Sequence, residues 1–389
     1  MLLNKINLLL KDINQKIIIL SIIIAMFFAV IIFDSCHSKD KSVPSPSSST
    51  SSIASMKISL GQMIFFDKNL SNPAGQSCSS CHATENAFTD LNHNDISPGA
   101  VDGLAGNRNA PSVSYAMYLP ALHYSVPDSS YVGGFFWDGR VNTLAEQAQK
   151  PFLNPLEMAN TGPAMVVSKV YNASYYNLYQ QIYGNITDTT AAFNNIADAI
   201  AAYESSSQVN PFTSKYDYYL QGQATLSSQE IRGLLLFQDT IQSKCSTCHL
   251  ITPDSLSGKI LFTDHTYNND GVPKNPNNPY YNLSSTYNPL GTAYVDLGLG
   301  SILQNPDYYG QFKVPTLRNI ALTAPYFHNG VFYNLEDVVH FYNTRNMGTF
   351  PAPEYPATVD TTDLGNLQLT AQQEADIIAF LKTLTDGYK

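Results

Sequence analysis

The sequence predicts a mainly α-helical protein built as two similar helical halves, and three observations predict it. The pentapeptide CSSCH at 78–82 returns as CSTCH at 245–249. The stretch ahead of each copy also repeats, since GQMIFFD at 61–67 and GLLLFQD at 233–239 share Gly61 and Gly233, Phe65 and Phe237, Asp67 and Asp239. Elsewhere apolar residues recur at helical spacing, and strand-like alternation is absent.

Taken in order, the chain opens with Lys5, Lys11 and Lys16, then an apolar run from Ile17 to Phe33 that ends at Asp34, Ser35 and Cys36. Residues 1–35 read as an export signal. Ser35 before Cys36 resembles a bacterial lipoprotein signal, which would lipidate Cys36 and anchor the protein in the periplasm. Phe33 and Asp34 depart from that pattern, and an uncleaved signal anchor is the alternative. Residues 36–56, with their Ser/Pro-rich segment at 42–52, read as an unstructured tether. The first helical half is expected over 57–215, with helical spacing at 164–183 and 190–206, and the second over 216–389. That second half has a capping box at Ser227 and Glu230, a loop excursion at 263–311 whose tyrosines read as packing, and a capped helix over 370–386. The net charge of −10 with 13% charged residues leaves no basic footprint for nucleic acid. Membrane contact is expected through the N-terminal anchor alone.

Outside Cys36 each cysteine lies in a C-x-x-C-H motif. Two disulfides or a zinc site are the ordinary readings of four such cysteines. The histidine that follows each pair points elsewhere. Cysteines three apart can both reach the vinyl groups along one haem edge, with the next residue left beneath the iron. Cys78, Cys81 and His82, then Cys245, Cys248 and His249, therefore predict two covalently attached c-type haems. Each half becomes a cytochrome c-like helical domain.

Further stretches make the reading specific: GNRNAPSVSYA at 106–116, FFWDGRVNTLAEQAQKPFLNPLEM at 135–158 and VPTLRNIALTAPYFHNG at 314–330. With the two haem motifs and in this order, they resemble the bacterial dihaem cytochrome c peroxidase and MauG family over nearly everything after the tether. The resemblance implies a peroxidatic haem in the first half and an electron-transfer haem in the second. It implies Trp137 as the electron conduit between them, and Gln147 and Glu157 as the pair beside the reacting peroxide. It further implies a role for His328 at a haem propionate, and Ca²⁺ held by Asn109, Thr323 and Pro325. Taken alone, Gln147 and Glu157 would pass as helix-surface residues and Trp137 as a core aromatic.

Two departures from the usual peroxidase pattern stand out. Where many members carry a histidine seven residues before the arginine of the "RN" pair, counting back from Arg108 meets Val101. His93 reads as a loop histidine, so the first haem is expected to be open without reductive activation. Fourteen residues beyond His328, where a methionine would ligate the second haem, stands Tyr342, as in MauG-like members; Met347 is the rival ligand. His340 is expected to face solvent or pair locally.

These readings define an enzyme that reduces hydrogen peroxide with electrons from a small redox protein such as a cytochrome c. The alternatives are a MauG-like oxidase that uses peroxide to modify a partner protein, or a dihaem electron carrier without catalysis. The donor and the oligomeric state, a homodimer included, stay open.

Overall fold

The computed structural model describes residues 48–254 and 257–389, so the export segment, Cys36 and the head of the Ser/Pro stretch lie outside the described residues. Helix α1 (Ser48–Phe65) begins inside the stretch expected to be a bare tether. Residues 48–56 of the expected tether (36–56) are therefore helical, a correction to that expectation. Among the described residues no helix is long and apolar enough to cross a membrane.

Two sets of helices follow one another along the chain. A single turn α2 (Cys78–Cys81) is followed by α3 (Leu144–Leu153), α4 (Pro163–Tyr171), α5 (Tyr176–Tyr183) and α6 (Thr189–Glu204). The apolar stretch at 164–183 is thus two helices, interrupted where Asn172 and Ala173 turn back on Ser168 and Val170. Then come α7 (Lys215–Leu220), α8 (Ser228–Gln238), a second single turn α9 (Cys245–Cys248), α10 (Gly298–Leu303), α11 (Leu335–Thr344) and α12 (Ala371–Lys382). The starts are set by side chains that take orphan amide protons: Thr143 with Glu146 on α3, Asp188 on α6, Ser227 with Glu230 on α8 and Thr370 with Gln373 on α12. Strands are short and antiparallel. β1 (His123–Ser125) pairs with β2 (Ser130–Val132), and β3 (Tyr267–Asn268) pairs with β4 (Phe312–Lys313), Tyr267 opposite Lys313.

The apolar faces of these helices form two clusters. One gathers Leu60, Phe65, Phe152, Val166 and Ile196; the other gathers Phe237, Phe262, Phe341, Ile377 and Phe380. Each fully buried aromatic or aliphatic side chain contributes roughly 1.5–3 kcal/mol by leaving water. Between 263 and 311 the excursion is held by polar side chains rather than by a ladder. Asn275, Asn278 and Asn288 are buried and spend their amides on nearby or distant carbonyls, while Tyr267 and Tyr281 pack inward.

The repeated glycines explain the repeated geometry. A Cβ on Gly61 would lie 1.8 Å from the Ala199 carbonyl oxygen and 2.9 Å from the Tyr203 Cβ; on Gly233 it would lie 1.9 Å from the Asp376 carbonyl oxygen and 2.9 Å from the Phe380 Cβ. So α1 meets α6 and α8 meets α12 backbone to backbone, a distance that only glycine permits. The aspartate six residues on ends each helix: Asp67 accepts from the Asn69 amide, Asp239 from those of Ile241 and Gln242. Each chain then turns into its C-x-x-C-H segment.

Alanine at Gly233 should therefore destabilise the protein by about 1–3 kcal/mol through overpacking, reversing the roughly 0.5–1 kcal/mol that Gly to Ala gains inside a free helix. Denaturant unfolding of Gly233→Ala checks the sign.

Candidate functional site: two cavities each holding a cysteine pair and a histidine

Each C-x-x-C-H segment folds as one helical turn, closed by a bond from the His82 amide to the Cys78 carbonyl at 2.9 Å and from the His249 amide to the Cys245 carbonyl at 3.0 Å. Both imidazoles are held from behind. His82 Nδ1 lies 3.1 Å from the Phe88 carbonyl oxygen, and His249 Nδ1 lies 2.8 Å from that of Phe262. Phe88 and Phe262 both have left-handed φ, 62° and 56°. With Nδ1 as donor, Nε2 is the nitrogen left with a lone pair. Burial lowers both imidazole pKa values, that of His249 to about 4, so each ring is neutral at pH 7 and in the ligating form.

The two segments open on different cavities, of about 290 and 230 Å³. The four thiols are free and do not pair. Two separate cavities cannot make one four-cysteine zinc centre, and among the described residues no group of three or more His, Cys, Asp and Glu side chains is gathered around a metal position. A c-type haem fits this donor set. Each cavity offers two thiols, an imidazole nitrogen freed for ligation and a largely apolar wall.

Trp137, Gln147 and Glu157 line the first cavity together with Cys78, Cys81 and His82. Gln147 rides on α3, started by the Thr143 and Glu146 box. Beyond that helix the chain doubles back, with the Met158 amide on the Pro151 carbonyl and the Glu157 amide on the Asn154 carbonyl, which brings Glu157 to the same cavity. Burial raises the Glu157 carboxyl above the ordinary range, opposed by the Arg140 charge and a hydrogen bond with Asn154. Trp137 donates its indole N–H to the Asn109 carbonyl at 2.9 Å and lines both cavities. Asn109, Thr323 and Pro325 border the first cavity as well. His93 does not line it; its ring is exposed and its Nδ1 lies 2.8 Å from the Ala324 carbonyl oxygen.

Tyr342 and His328 line the second cavity. Tyr342 donates its hydroxyl to Asp270 at 3.0 Å, and burial beside that carboxylate holds the phenol well above its usual pKa. Met347 is 65% exposed and does not reach the cavity. His328 stacks on Phe312 at 3.5 Å, with Nε2 3.6 Å from a Glu354 oxygen. Those two buried atoms have no hydrogen-bond partner. His340 is half-exposed and pairs with Glu374 at 3.0 Å.

Several side chains at these walls escaped the sequence reading. Arg108 bridges Asp138 at 2.6 Å and both oxygens of Asp296 at 2.6 and 2.8 Å. Asp296 pays a desolvation penalty, yet the Arg108 charge and hydrogen bonds hold it down to about 2. Glu204 ends α6 at the first cavity with its carboxyl pushed up to about 8 by burial and one oxygen unpartnered. Asp270, His265 and Lys313 complete the set. Arg108 and Asp138 stand inside the motifs quoted above, GNRNAPS and FFWDGR; the others carry no local signal.

A helical protein with two such cavities, joined by a shared tryptophan, belongs to the class of dihaem c-type cytochromes. Residues 55–225 match the family model described as di-haem cytochrome c peroxidase. A methylamine utilization protein MauG of Paracoccus denitrificans is 34% identical over 84% of this chain and 88% of its own length. A cytochrome c551 peroxidase of Nitrosomonas europaea is 32% identical over 84% and 79%. The crystal structure of the diheme peroxidase BthA from Burkholderia thailandensis superposes with a TM-score of 0.75 at 31% identity, covering 85% of this chain and 86% of that one. The chain belongs to the dihaem cytochrome c peroxidase and MauG family.

Replacing Arg108 by Met leaves Asp138 and Asp296 buried without their shared partner, and should cost about 3–5 kcal/mol. The folded Asp296 pKa lies below its unfolded value near 3.8, so its contribution is complete above about pH 4 and fades as pH falls toward 2. Acid unfolding followed by circular dichroism should show that fading in the wild type and not in Arg108→Met.

Proposed function

We propose that this protein is a dihaem peroxidase that reduces hydrogen peroxide to water with electrons from a small redox protein. The observation that carries the reading is Glu157 lining the same cavity as Cys78, Cys81 and His82. Residues 57–215 and 216–389 form the two haem domains, a division supported by the two apolar clusters and the two glycine crossings. Cys78 with Cys81 and Cys245 with Cys248 would tether the haems, and His82 and His249 would present Nε2 to the iron.

Bound there, the haem supplies the iron that takes up peroxide and a ring able to hold oxidising equivalents. The rest falls to side chains. Glu157, ionised and held in a site that raises its pKa, takes a proton from hydrogen peroxide and returns it to the leaving oxygen. Gln147 orients the peroxide through its amide and cannot carry the proton. Trp137 conducts between the cavities; its N–H is committed to a carbonyl rather than a base, so it can lose an electron but has no ready acceptor for its proton. Tyr342 would ligate the second haem, with Asp270 in place to receive the phenol proton. His328 acts beside the second haem's propionates, and Ca²⁺ is held near Asn109, Thr323 and Pro325 by oxygen donors. The protein works in the periplasm, anchored through lipid on Cys36.

A second reading is a MauG-like oxidase that modifies a partner protein. It is favoured by Tyr342 at the second cavity, where Met347 does not reach, and by the 34% identity to a MauG protein.

Glu157→Gln should keep both haems and slow the reaction with peroxide by roughly 10²- to 10⁴-fold. In the wild type the same rate should decline as pH drops through a pKa above the usual 4.5 of a glutamate, because the base must be ionised. Stopped-flow absorbance measures both, and an unchanged rate removes Glu157 from the chemistry. Steady-state oxidation of reduced cytochrome c separates the two readings: fast turnover supports the peroxidase, slow turnover with a long-lived oxidised species supports the oxidase. Electron paramagnetic resonance of the resting protein should show a high-spin ferric signal; two low-spin haems without a peroxide response would leave an electron carrier.

A further inference from the structure

Lys313 is 9% exposed, and among the described residues it makes no ion pair. A buried ammonium without a carboxylate is costly, so its surroundings call for an explanation. Asp138, whose charge reaches it, is already shared between Arg108 and Arg140. The Lys313 Nζ donates instead to the carbonyls of Gly134 at 2.7 Å and Phe136 at 2.8 Å. An ammonium has three protons. Two backbone carbonyls leave one over.

The neighbours of the head indicate where that proton goes. Phe312 lines the second cavity and stacks on His328; Lys313 borders both cavities, and its head lies on the carbonyls of Gly134 and Phe136, of which Phe136 lines the first cavity and not the second. His265 and Arg140 line the first cavity too. Burial lowers His265 to about 4, and the Lys313 charge adds to the effect; the imidazole is neutral and no counter-ion. Burial also lowers Lys313 to about 7, with Asp138 opposing and Arg140 adding to the shift. Protein atoms alone therefore hold this cation weakly, where a nearby anion would hold it firmly.

We propose that Lys313, a residue of the second half, binds a propionate carboxylate of the haem in the first cavity. This rests on the reading that the first cavity carries a haem. The assignment accounts for the unpaired buried charge, because a haem brings two carboxylates to an ammonium that pairs with no acid side chain among the described residues. It also links cofactor to conduit. The Lys313 amide donates to the Trp137 carbonyl at 3.0 Å, so one residue grips the carbonyls of Gly134, Phe136 and Trp137 while its charge faces the propionate.

The test is spectroelectrochemical titration of the dihaem protein and of Lys313→Met and Lys313→Arg, with haem counted by intact mass and the pyridine haemochrome spectrum. Removing a positive charge beside a haem favours its ferric form. Lys313→Met should keep two haems while one of the two midpoint potentials moves lower, and Lys313→Arg should restore it. A lysine that only ties down the Trp137 loop would not shift a potential and regain it with charge alone. Lys313→Gln serves the same readout if the methionine variant does not accumulate. Two haems with both potentials unchanged in the neutral variants overturn the proposal. A wild type with fewer than two haems overturns the underlying reading and this one with it.

Discussion

Arg108 is the interaction on which the arrangement of the two cavities rests. One guanidinium, almost removed from water, holds Asp138 beside Trp137 and Asp296 at the edge of the second cavity. Burial works against the Asp296 charge, and the Arg108 charge and hydrogen bonds outweigh it. Together Arg108, Asp138 and Asp296 make a bridge whose geometry is set by the planar fork of arginine, with Arg140 as the second cation on Asp138. The loop that presents Trp137 is thus tied to the loop that walls the second site, and the indole lies where both cavities reach it.

The two halves repeat one piece of local physics and then diverge in chemistry. In each, a glycine lets two helices touch, an aspartate ends the first helix, a single turn carries the thiols, and a left-handed phenylalanine turns its carbonyl onto the histidine ring. Those shared features dictate only that a flat group can be fastened and an iron ligated. What differs is the rest of the lining. Glu157, Gln147 and Arg140 line the first cavity; Tyr342 and Asp270 line the second. The same scaffold is compatible with two roles because that lining is built by residues distant from the motif.

Much of this was readable without coordinates. Two C-x-x-C-H motifs, their repeated glycine, phenylalanine and aspartate, and the capped helices at Ser227 and Thr370 are local patterns with local causes, and each appears where the pattern indicated. Local patterning stopped short of some boundaries. The stretch at 164–183 is helical as its spacing indicated, but divided in two because the turn at Asn172 and Ala173 is fixed by hydrogen bonds rather than by the apolar period; the expected tether ends in a helix because α1 extends back into it.

The amino-acid sequence by itself determined the covalent chemistry of the protein: which thiols and imidazoles can bind a cofactor, and that they come in two sets. Spacing along the chain suffices for that, since the ligands are neighbours. Only the tertiary structure decided who shares a cavity with whom. Tyr342 rather than Met347 facing the second cavity, Arg108 spanning acids 30 and 188 residues away, and Lys313 buried against the Trp137 loop are outcomes of chain folding. Charge and burial there depend on distant segments, and no window of sequence contains both partners.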